Sequence, residues 1–557
     1  MDYKKLADLL FPDVTLTKED LEKKYPQRNL PNGAIVTRFA PSPTGFLHIG
    51  SVFTCLVADN FAKKSNGVFI LRIEDTDQNR KIQDGVKLII QGLNRYHINF
   101  DEGVDQQGND YGNYGVYTQS KRKDIYMAMA KYLVSIGKAY PCFCDDETSQ
   151  RDKAIQEANK ELIGYYGSYA HCRNLTYEEV EANLKAGKKF AIRLKCESNA
   201  DHKIVVDDAI RGTLKLSDNF NDVVILKRDF LPPYNFAHAC DDHFMRVNLV
   251  IRGDEYIPSI AEHLQIFNAL GFEPIKYAHV APMQKMEGNS KRKISKRKDP
   301  EANVSFYLEE GYPVDGVREY LLNVANSNFE EWRKLNPNSS IDDFVVTTDK
   351  MSKSGALFDL PKLNDVSKNV ISKFDAQKVY DLCLEWAEQY DAEFAKILNE
   401  NKNYAIKVFS IERGTAKPRK DIAKWNETKG AFGYFFKELF NPTKLEEYQF
   451  NLEKFDKDTI KKVVDKYIGV YKEETDNQSW FAKIKELGTE FGFANDMKVY
   501  KANPENFVGH YGDVASILRV AITTKANTPD LFQICTLLGY DEVIKRLKLA
   551  SSLLSSN

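Results

Sequence analysis

No stretch of about 18 consecutive apolar residues occurs in this sequence, so it offers no candidate for a membrane-spanning helix. The opening residues Met1-Asp2-Tyr3-Lys4-Lys5 lack the basic-then-apolar order of a secretion signal, and a cytoplasmic location is expected. Cysteine is sparse, with 8 in 557 residues. Cys55, Cys383 and Cys535 stand in apolar surroundings, the setting of reduced core residues rather than of a disulfide framework. Excess charge is missing too: the formal net charge is -2, so a polyanion would have to be met by local basic patches. Neither G-x-x-x-x-G-K-[ST] nor G-x-G-x-x-G is present, which weakens readings as a P-loop hydrolase or a dinucleotide enzyme. There is no internal repeat and no low-complexity tract.

What is present is the balance of a folded globular protein, 43% hydrophobic, 28% charged and 12% aromatic, in a chain too long for one hydrophobic core. Residues 1–30 read as a short amphipathic helix (Leu6, Leu9, Leu10) and a polar lead-in, to which no chemistry is assigned. From Ile35 a strand, a helix with the face Phe53, Leu56, Val57 and Phe61, and the strand Val68 to Leu71 follow one another, the unit of a parallel sheet. Between about Tyr140 and Arg228 strand-like pieces such as Phe190 to Leu194 and Val223 to Leu226 dominate, and apolar strands with an intervening helix resume at Val247 to Ile251 and Tyr277 to Val280. After about residue 375 helical spacing takes over, as in Leu531, Ile534, Cys535 and Leu538, with Thr528 read as a cap and Pro529 in the first turn. The fold class is therefore α/β: a split, doubly wound, Rossmann-like parallel sheet with an inserted α+β domain and an all-helical C-terminal region.

The most informative stretch is Arg38-Phe39-Ala40-Pro41-Ser42-Pro43-Thr44-Gly45-Phe46-Leu47-His48-Ile49-Gly50-Ser51. It joins a strand to a helix, and a loop at a helix N-terminus offers backbone N–H groups and the positive dipole end to an anion such as a triphosphate. An ordinary turn with a buried histidine is the plainer reading of His48 taken alone. The run as a whole resembles the HIGH-motif segment of class I aminoacyl-tRNA synthetases, in the form typical of glutamyl-tRNA synthetases, although the fourth motif position is Ser51. Relatives that charge glutamine usually carry Pro-Glu-Pro-Asn-Gly where this chain has Pro41-Ser42-Pro43-Thr44-Gly45, so the resemblance favours glutamate. It implies ATP as substrate, bound by Thr44, His48 and Gly50.

The second strand ends in Leu71-Arg72-Ile73-Glu74-Asp75-Thr76-Asp77, and ligands of open parallel sheets bind beyond the strand C-termini, so Glu74 can reach a substrate ammonium group. Asp75 and Asp77 equally suit capping. An acidic substrate calls for guanidinium groups, and Arg38 and Arg252 end apolar strands; a structural ion pair is the other reading of each. The resemblance places Ser42 and Glu74 near the substrate α-amino group, Tyr234 and Arg252 along the amino acid, and Glu255 near ATP. It leaves the role of His238 open.

Two Lys-x-Ser-Lys segments compete. Lys293-Ile294-Ser295-Lys296-Arg297 lies in a basic run that also holds Lys291, Arg292 and Lys298, whereas Lys350-Met351-Ser352-Lys353-Ser354 is the better letter match to the consensus. The first follows the strand that completes the split sheet and has the glutamyl form, so Lys293 and Lys296 are assigned to ATP and Lys296, with His48, to catalysis. A solvated basic loop is the plainer alternative. Cys142, Cys144 and Cys172 resemble a zinc knuckle of some relatives, but Asn174 stands where zinc binders tend to carry His. Four ligands are the rule, Tyr169 or His171 would have to supply the fourth, and no metal ligand is assigned.

The resemblance implies these domains: 1–32, N-terminal extension; 33–140 and 229–300, halves of the catalytic fold; 141–228, insertion binding the acceptor end; 301–375, connecting stem-contact domain; 376–557, helical anticodon module. It further implies a monomer that takes L-glutamate, ATP with magnesium and tRNA(Glu), and that needs bound tRNA before it activates the amino acid. A non-catalytic tRNA-binding paralogue, a glutaminyl enzyme with C-terminal β-barrels and a nucleotidyltransferase acting on a small acid are the alternatives.

Overall fold

The computed structural model of the chain describes residues 1–43, 47–77, 82 and 84–555. These residues divide into two compact units, Met1–Phe306 with Arg318–Asp359, and Tyr307–Val317 with Leu360–Asn557.

In the first unit, helices α1 (Tyr3–Leu10) and α2 (Lys18–Lys24) precede the sheet, and both begin on a side-chain cap, Asp2 and Thr17. They are part of the core. Leu6, Ala7, Leu10 and Phe11 pack in one cluster with Met129 and Leu133 of the helix Lys123–Ser135. Strand β1 (Val36–Phe39) runs parallel to β2 (Val68–Leu71), connected by α3 (Ile49–Lys64), whose buried residues Val52, Phe53, Leu56 and Val57 cover the strands. The turn between α3 and β2 needs Gly67, because a Cβ there would lie 1.9 Å from the Ile35 carbonyl oxygen. The short ribbon β3 (Gly103–Val104) and β4 (Asp110–Tyr111) continues the β2 edge through a parallel bridge between Ile70 and Glu102.

The insertion contributes one sheet and one hairpin. Strands β5 (Ala139–Cys142), β6 (Ala191–Leu194) and β9 (Val224–Leu226) form an antiparallel sheet, and β7 (Lys203–Asp208) and β8 (Gly212–Ser217) form a hairpin. The parallel sheet then resumes with β10 (Leu249–Gly253) and β11 (Lys276–Val280). Asn248, just before β10, donates its N–H to the Val36 carbonyl at 3.0 Å and accepts from the Val36 N–H through Oδ1 at 2.9 Å. That contact joins the two halves. The β7–β8 hairpin attaches to β11 at Tyr277 opposite Asp208, so the insertion also extends the nucleotide sheet. Sequence periodicity misses this hairpin because it is largely solvated: Val205 is 65% exposed. A last hairpin, β12 (Gln284–Glu287) and β13 (Ser290–Lys293), carries the basic run.

The second unit is helical apart from the two-residue strands β14 (Phe493–Ala494) and β15 (Gly509–His510) among its described residues. That composition is contrary to the β-barrels expected of a glutaminyl enzyme. Helices occupy Leu360–Lys373 and Ala376–Tyr390 and recur to Tyr540–Ser555, around an aromatic core that includes Phe394, Phe409, Trp425, Phe435 and Phe436. One expectation needs correcting. Helix Leu531–Leu538 is capped by Asp530, whose carboxylate accepts from the Gln533 N–H, not by Thr528. The Arg519 guanidinium engages the Thr528 hydroxyl and carbonyl, so that hydroxyl is already used when the chain reaches the helix. Among the described residues no helix is long and apolar enough to cross a membrane.

Candidate active site

A cleft of about 490 Å³ opens beyond the C-terminal ends of β1, β2, β10 and β11. Arg38, Ser42, His48, Gly50, Glu74, Tyr234, Arg252, Glu255, Lys293 and Lys296 all line it. Every site residue read from the sequence is thus brought to one place except Thr44, which lies outside the described residues.

His48 is the N-cap of α3, and its Nδ1 accepts the Gly50 N–H at 2.9 Å. Glycine is required at position 50, since a Cβ would sit 2.9 Å from that same nitrogen. Because Nδ1 is an acceptor, the neutral ring carries its proton on Nε2, as a donor. Burial, with Lys296 and Lys293 adding to it, pushes the imidazole down to about 4, so it is neutral at physiological pH. The Lys293–Lys298 segment reaches this histidine from a hairpin more than 200 residues away in sequence; an antiparallel bridge between His48 and Asn303 anchors the chain just after it. Arg292 grips the Asp299 carboxylate with both terminal nitrogens, at 2.6 and 2.7 Å, and the Ser295 N–H donates to the same carboxylate at 2.9 Å. This clasp fixes the turn that carries Lys296, whose ammonium is lowered by burial. Lys293 and Glu255 approach to 3.3 Å at the rim, both half exposed.

The floor of the cleft is a network of buried charge. Asp242, on the helix Tyr234–Phe244, accepts from Arg38 Nε at 3.1 Å, from Arg72 Nη1 and from His238 Nδ1 at 2.8 Å. Burial alone would raise this carboxyl, but the Arg38 and Arg72 guanidiniums hold it well below the usual carboxylate range. Arg72 also donates to Glu74 at 3.1 Å. Burial raises the Glu74 carboxyl against the pull of Arg72 and Arg38. Asp75 is structural: both its oxygens accept from Ser120, through N–H and hydroxyl, at 2.8 Å. Sequence reasoning passed over Arg72, Asp242, His263 and His279. The pair Asp241-Asp242, following the apolar run Phe236-Ala237 and Ala239-Cys240 on one helix, was the available signal, since adjacent buried acids imply buried bases.

Arg252 differs. It is as buried as Arg38, 5% against 4% exposed, yet among the described residues no carboxylate pairs with it. Its Nη1 donates to the Tyr234 hydroxyl at 3.0 Å and its Nε to His279 Nε2 at 3.0 Å.

The three sulfurs of Cys142, Cys144 and Cys172 lie within 4.8 Å of one another. The Tyr169 hydroxyl instead donates to Glu161 at 2.6 Å, and His171 Nε2 lies 2.6 Å from Asp152, so neither completes the cluster. The oxygen beside the sulfurs is the Tyr165 hydroxyl, 3.4 and 3.3 Å from Cys142 and Cys144.

Residues 34–365 match the catalytic domain of tRNA synthetases class I (E and Q), and residues 378–551 match an anticodon binding domain. The chain belongs to the class I tRNA synthetases of the glutamate and glutamine branch. Similar proteins include the glutamate–tRNA ligase of Acetivibrio thermocellus, 45% identical over 98% of this synthetase and 100% of its own length. The glutamate–tRNA ligase of Sorangium cellulosum is 38% identical over 97% and 99%. Among solved structures, the glutamate-tRNA synthetase of Elizabethkingia anophelis superposes with a TM-score of 0.72 at 26% identity, covering 93% of this synthetase and 100% of that chain. The glutamate tRNA ligase of Elizabethkingia meningosepticum, solved in complex with its amino acid, gives 0.70 at 25% identity over 94% and 100%.

Proposed function

We propose that this synthetase condenses L-glutamate with ATP to glutamyl-adenylate and passes the glutamyl group to the 3' end of tRNA(Glu), releasing pyrophosphate and then AMP. The observation that carries the substrate assignment is Arg252, a buried guanidinium at the cleft wall with neutral partners only among the described residues, which suits a ligand carboxylate. A buried charge of this kind is costly until a counter-charge arrives. Arg38, already paired with Asp242, adds a second positive group on the same side, and Glu74 and Ser42 face the α-ammonium.

ATP enters as its magnesium complex, which neutralises part of the phosphate charge. The α-carboxylate oxygen attacks the α-phosphorus, a new O–P bond forms, and the bond to the bridging oxygen breaks to release pyrophosphate. Negative charge grows on the phosphate oxygens, where the His48 Nε2–H, the first N–H groups of α3 and the Lys296 ammonium serve as fixed donors. In this reading 33–140 and 229–300 form the catalytic fold, 141–228 meets the acceptor end, 301–375 contacts the stem, 376–557 reads the anticodon, and the enzyme acts as a monomer.

The donor set Cys142, Cys144, Cys172 and Tyr165 fits zinc, a dication that prefers thiolates in tetrahedral sites. When bound, it would cross-link the insertion and contribute no step of the reaction. Elemental analysis of purified protein should return one zinc per chain, lost in a Cys144→Ser variant.

Pyrophosphate exchange tests the main reading. Label should enter ATP only with L-glutamate and tRNA both present, and not with glutamine. Exchange driven by glutamine, or by a small acid without tRNA, would replace this reading, and no exchange with any amino acid would point to a non-catalytic tRNA binder.

A further inference from the structure

A guanidinium N–H is always a donor, so the hydrogen bonds around Arg252 fix the state of their acceptors. Arg252 Nε meets His279 Nε2 at 3.0 Å, so that nitrogen carries the lone pair and the ring proton sits on Nδ1. His279 Nδ1 lies 2.6 Å from Asp208 Oδ2, and both the ring and the carboxylate are fully buried. Asp208 accepts further from the Ile210 and Arg211 N–H groups at 3.0 and 2.8 Å and from the His279 N–H at 3.1 Å. It has only donors around it. Burial would raise its carboxyl, but His279 and those N–H groups hold it below the usual range, so it stays ionised and keeps the histidine proton on Nδ1. A second imidazole repeats the pattern more loosely: His263 Nδ1 is 3.4 Å from Arg252 Nη2, while its Nε2 is 2.8 Å from Asn235 Oδ1.

We propose that His279, locked by Asp208 as the Nδ1–H tautomer, is the positioning residue that aims Arg252 at the substrate carboxylate while leaving the guanidinium charge uncompensated. The inference rests on the glutamate reading of the cleft. A carboxylate in the place of His279 would also orient Arg252 but would neutralise it, as Asp242 does for Arg38. A neutral imidazole gives direction without charge, and Asp208 supplies the anchoring one residue further out. The arrangement also ties substrate binding to the insertion, because Asp208 ends β7 of the solvated hairpin while Arg252 lies on β10.

Protonation of His279 would turn its Nε2 into a donor facing a donor. The charged and titratable groups around the ring are Asp208 on β7, Arg252 on β10, Arg211 in the β7–β8 turn, whose Nε donates to the His279 carbonyl at 3.3 Å, and Tyr277 stacked at 5.7 Å. Burial outweighs the Asp208 bond and lowers the imidazole below its ordinary value, so it is neutral at pH 7.

The test separates KM for glutamate from KM for ATP in tRNA-dependent exchange. In His279→Leu the glutamate KM should rise about 10- to 100-fold, the range for losing a hydrogen bond to a charged group, with the ATP KM unchanged. His279→Gln, which offers an amide oxygen near the Nε2 position and cannot be protonated there, should recover most of that loss. Because burial lowers the His279 imidazole, the wild-type glutamate KM should climb only once pH falls well below the ordinary imidazole value of about 6.5, and in His279→Gln that climb should shrink. An unchanged glutamate KM in the leucine variant, or equal rises in both KM values with no rescue by glutamine, overturns the proposal. If the leucine variant does not fold, the pH profile of the glutamine variant decides, and an acid limb identical to wild type overturns it. Wild-type protein that shows no glutamate-dependent exchange at all refutes the parent reading instead.

Discussion

Two segments of this chain spell Lys-x-Ser-Lys, and the fold attaches them to different strands of one hairpin: the first continues from β13, and the second leads into chain that pairs with β12. Lys293 and Lys296 line the cleft with His48. Lys350 to Ser354 is not part of that lining: Met351 is buried, Lys353 is exposed, and the chain that follows pairs with β12, the Gln284 N–H donating to the Ala356 carbonyl at 3.0 Å and the Phe358 N–H to the Gln284 carbonyl at 2.7 Å. Arg211 engages the Lys353 carbonyl, not its ammonium. The chain just after the segment with the better letter match therefore braces the hairpin that leads into the other. A motif's letters specify a chemistry only where the backbone delivers them to the substrate.

That contrast breaks most readily at the two lysines. Lys296→Ala should lower adenylate formation by about 10²- to 10³-fold, the cost of removing one fixed donor from a charged transition state, while Lys353→Ala stays within about twofold. Single-turnover exchange measures both, and the reverse ranking would exchange the roles of the two segments. Next in size is the clasp. Asp299→Ala removes the partner of Arg292 and Ser295 and should reduce kcat by about tenfold through a misplaced Lys296, with the glutamate KM unmoved. A smaller effect, of another kind, is expected at the bracing segment. Met351→Ala should cost about 2 kcal/mol of stability in denaturant unfolding while exchange by the remaining folded enzyme is preserved. A large loss of exchange in that variant would mean that the bracing segment reaches the substrate.

The least effect is expected from mild acid on the clasp. Arg292, against the opposing effect of burial, draws the Asp299 carboxyl far down, so its contribution is intact above the unfolded value of about 3.9 and is lost only as pH falls through the lower folded value. Proteolytic sensitivity of residues 291–298 should accordingly be flat from pH 7 to 5. Opening of this loop within that range would show that the clasp does not hold it.

Much of the catalytic unit was legible because its signals are local. The apolar runs at Val68 and Tyr277 alternate with helical faces over windows short enough to read, and the Pro and Gly residues around His48 mark a loop that no regular element tolerates. The β7–β8 hairpin was not read, since its alternation, as in Leu214-Lys215-Leu216, only separates half-buried from exposed positions and Ile204-Val205-Val206 beside it does not alternate. The first N-terminal helix gave its amphipathic pattern but not its role, and α2 lies in what reads as a polar lead-in. Their partners, such as Met129 and Leu133, lie more than 100 residues onward.

By itself, the sequence determined the strand–helix–strand alternation on either side of the insertion, the Pro- and Gly-bearing loop from Arg38 to Ser51, the basic run near Lys296 and the arginines that end two apolar strands. Only the tertiary structure decided which arginine has its charge compensated by a buried carboxylate. The reason is range. Propensity and periodicity act over a few residues, whereas the compensation of a buried guanidinium depends on groups a few ångströms away in space, here Asp242 for Arg38, 204 residues apart, and the neutral His279 for Arg252, 27 apart.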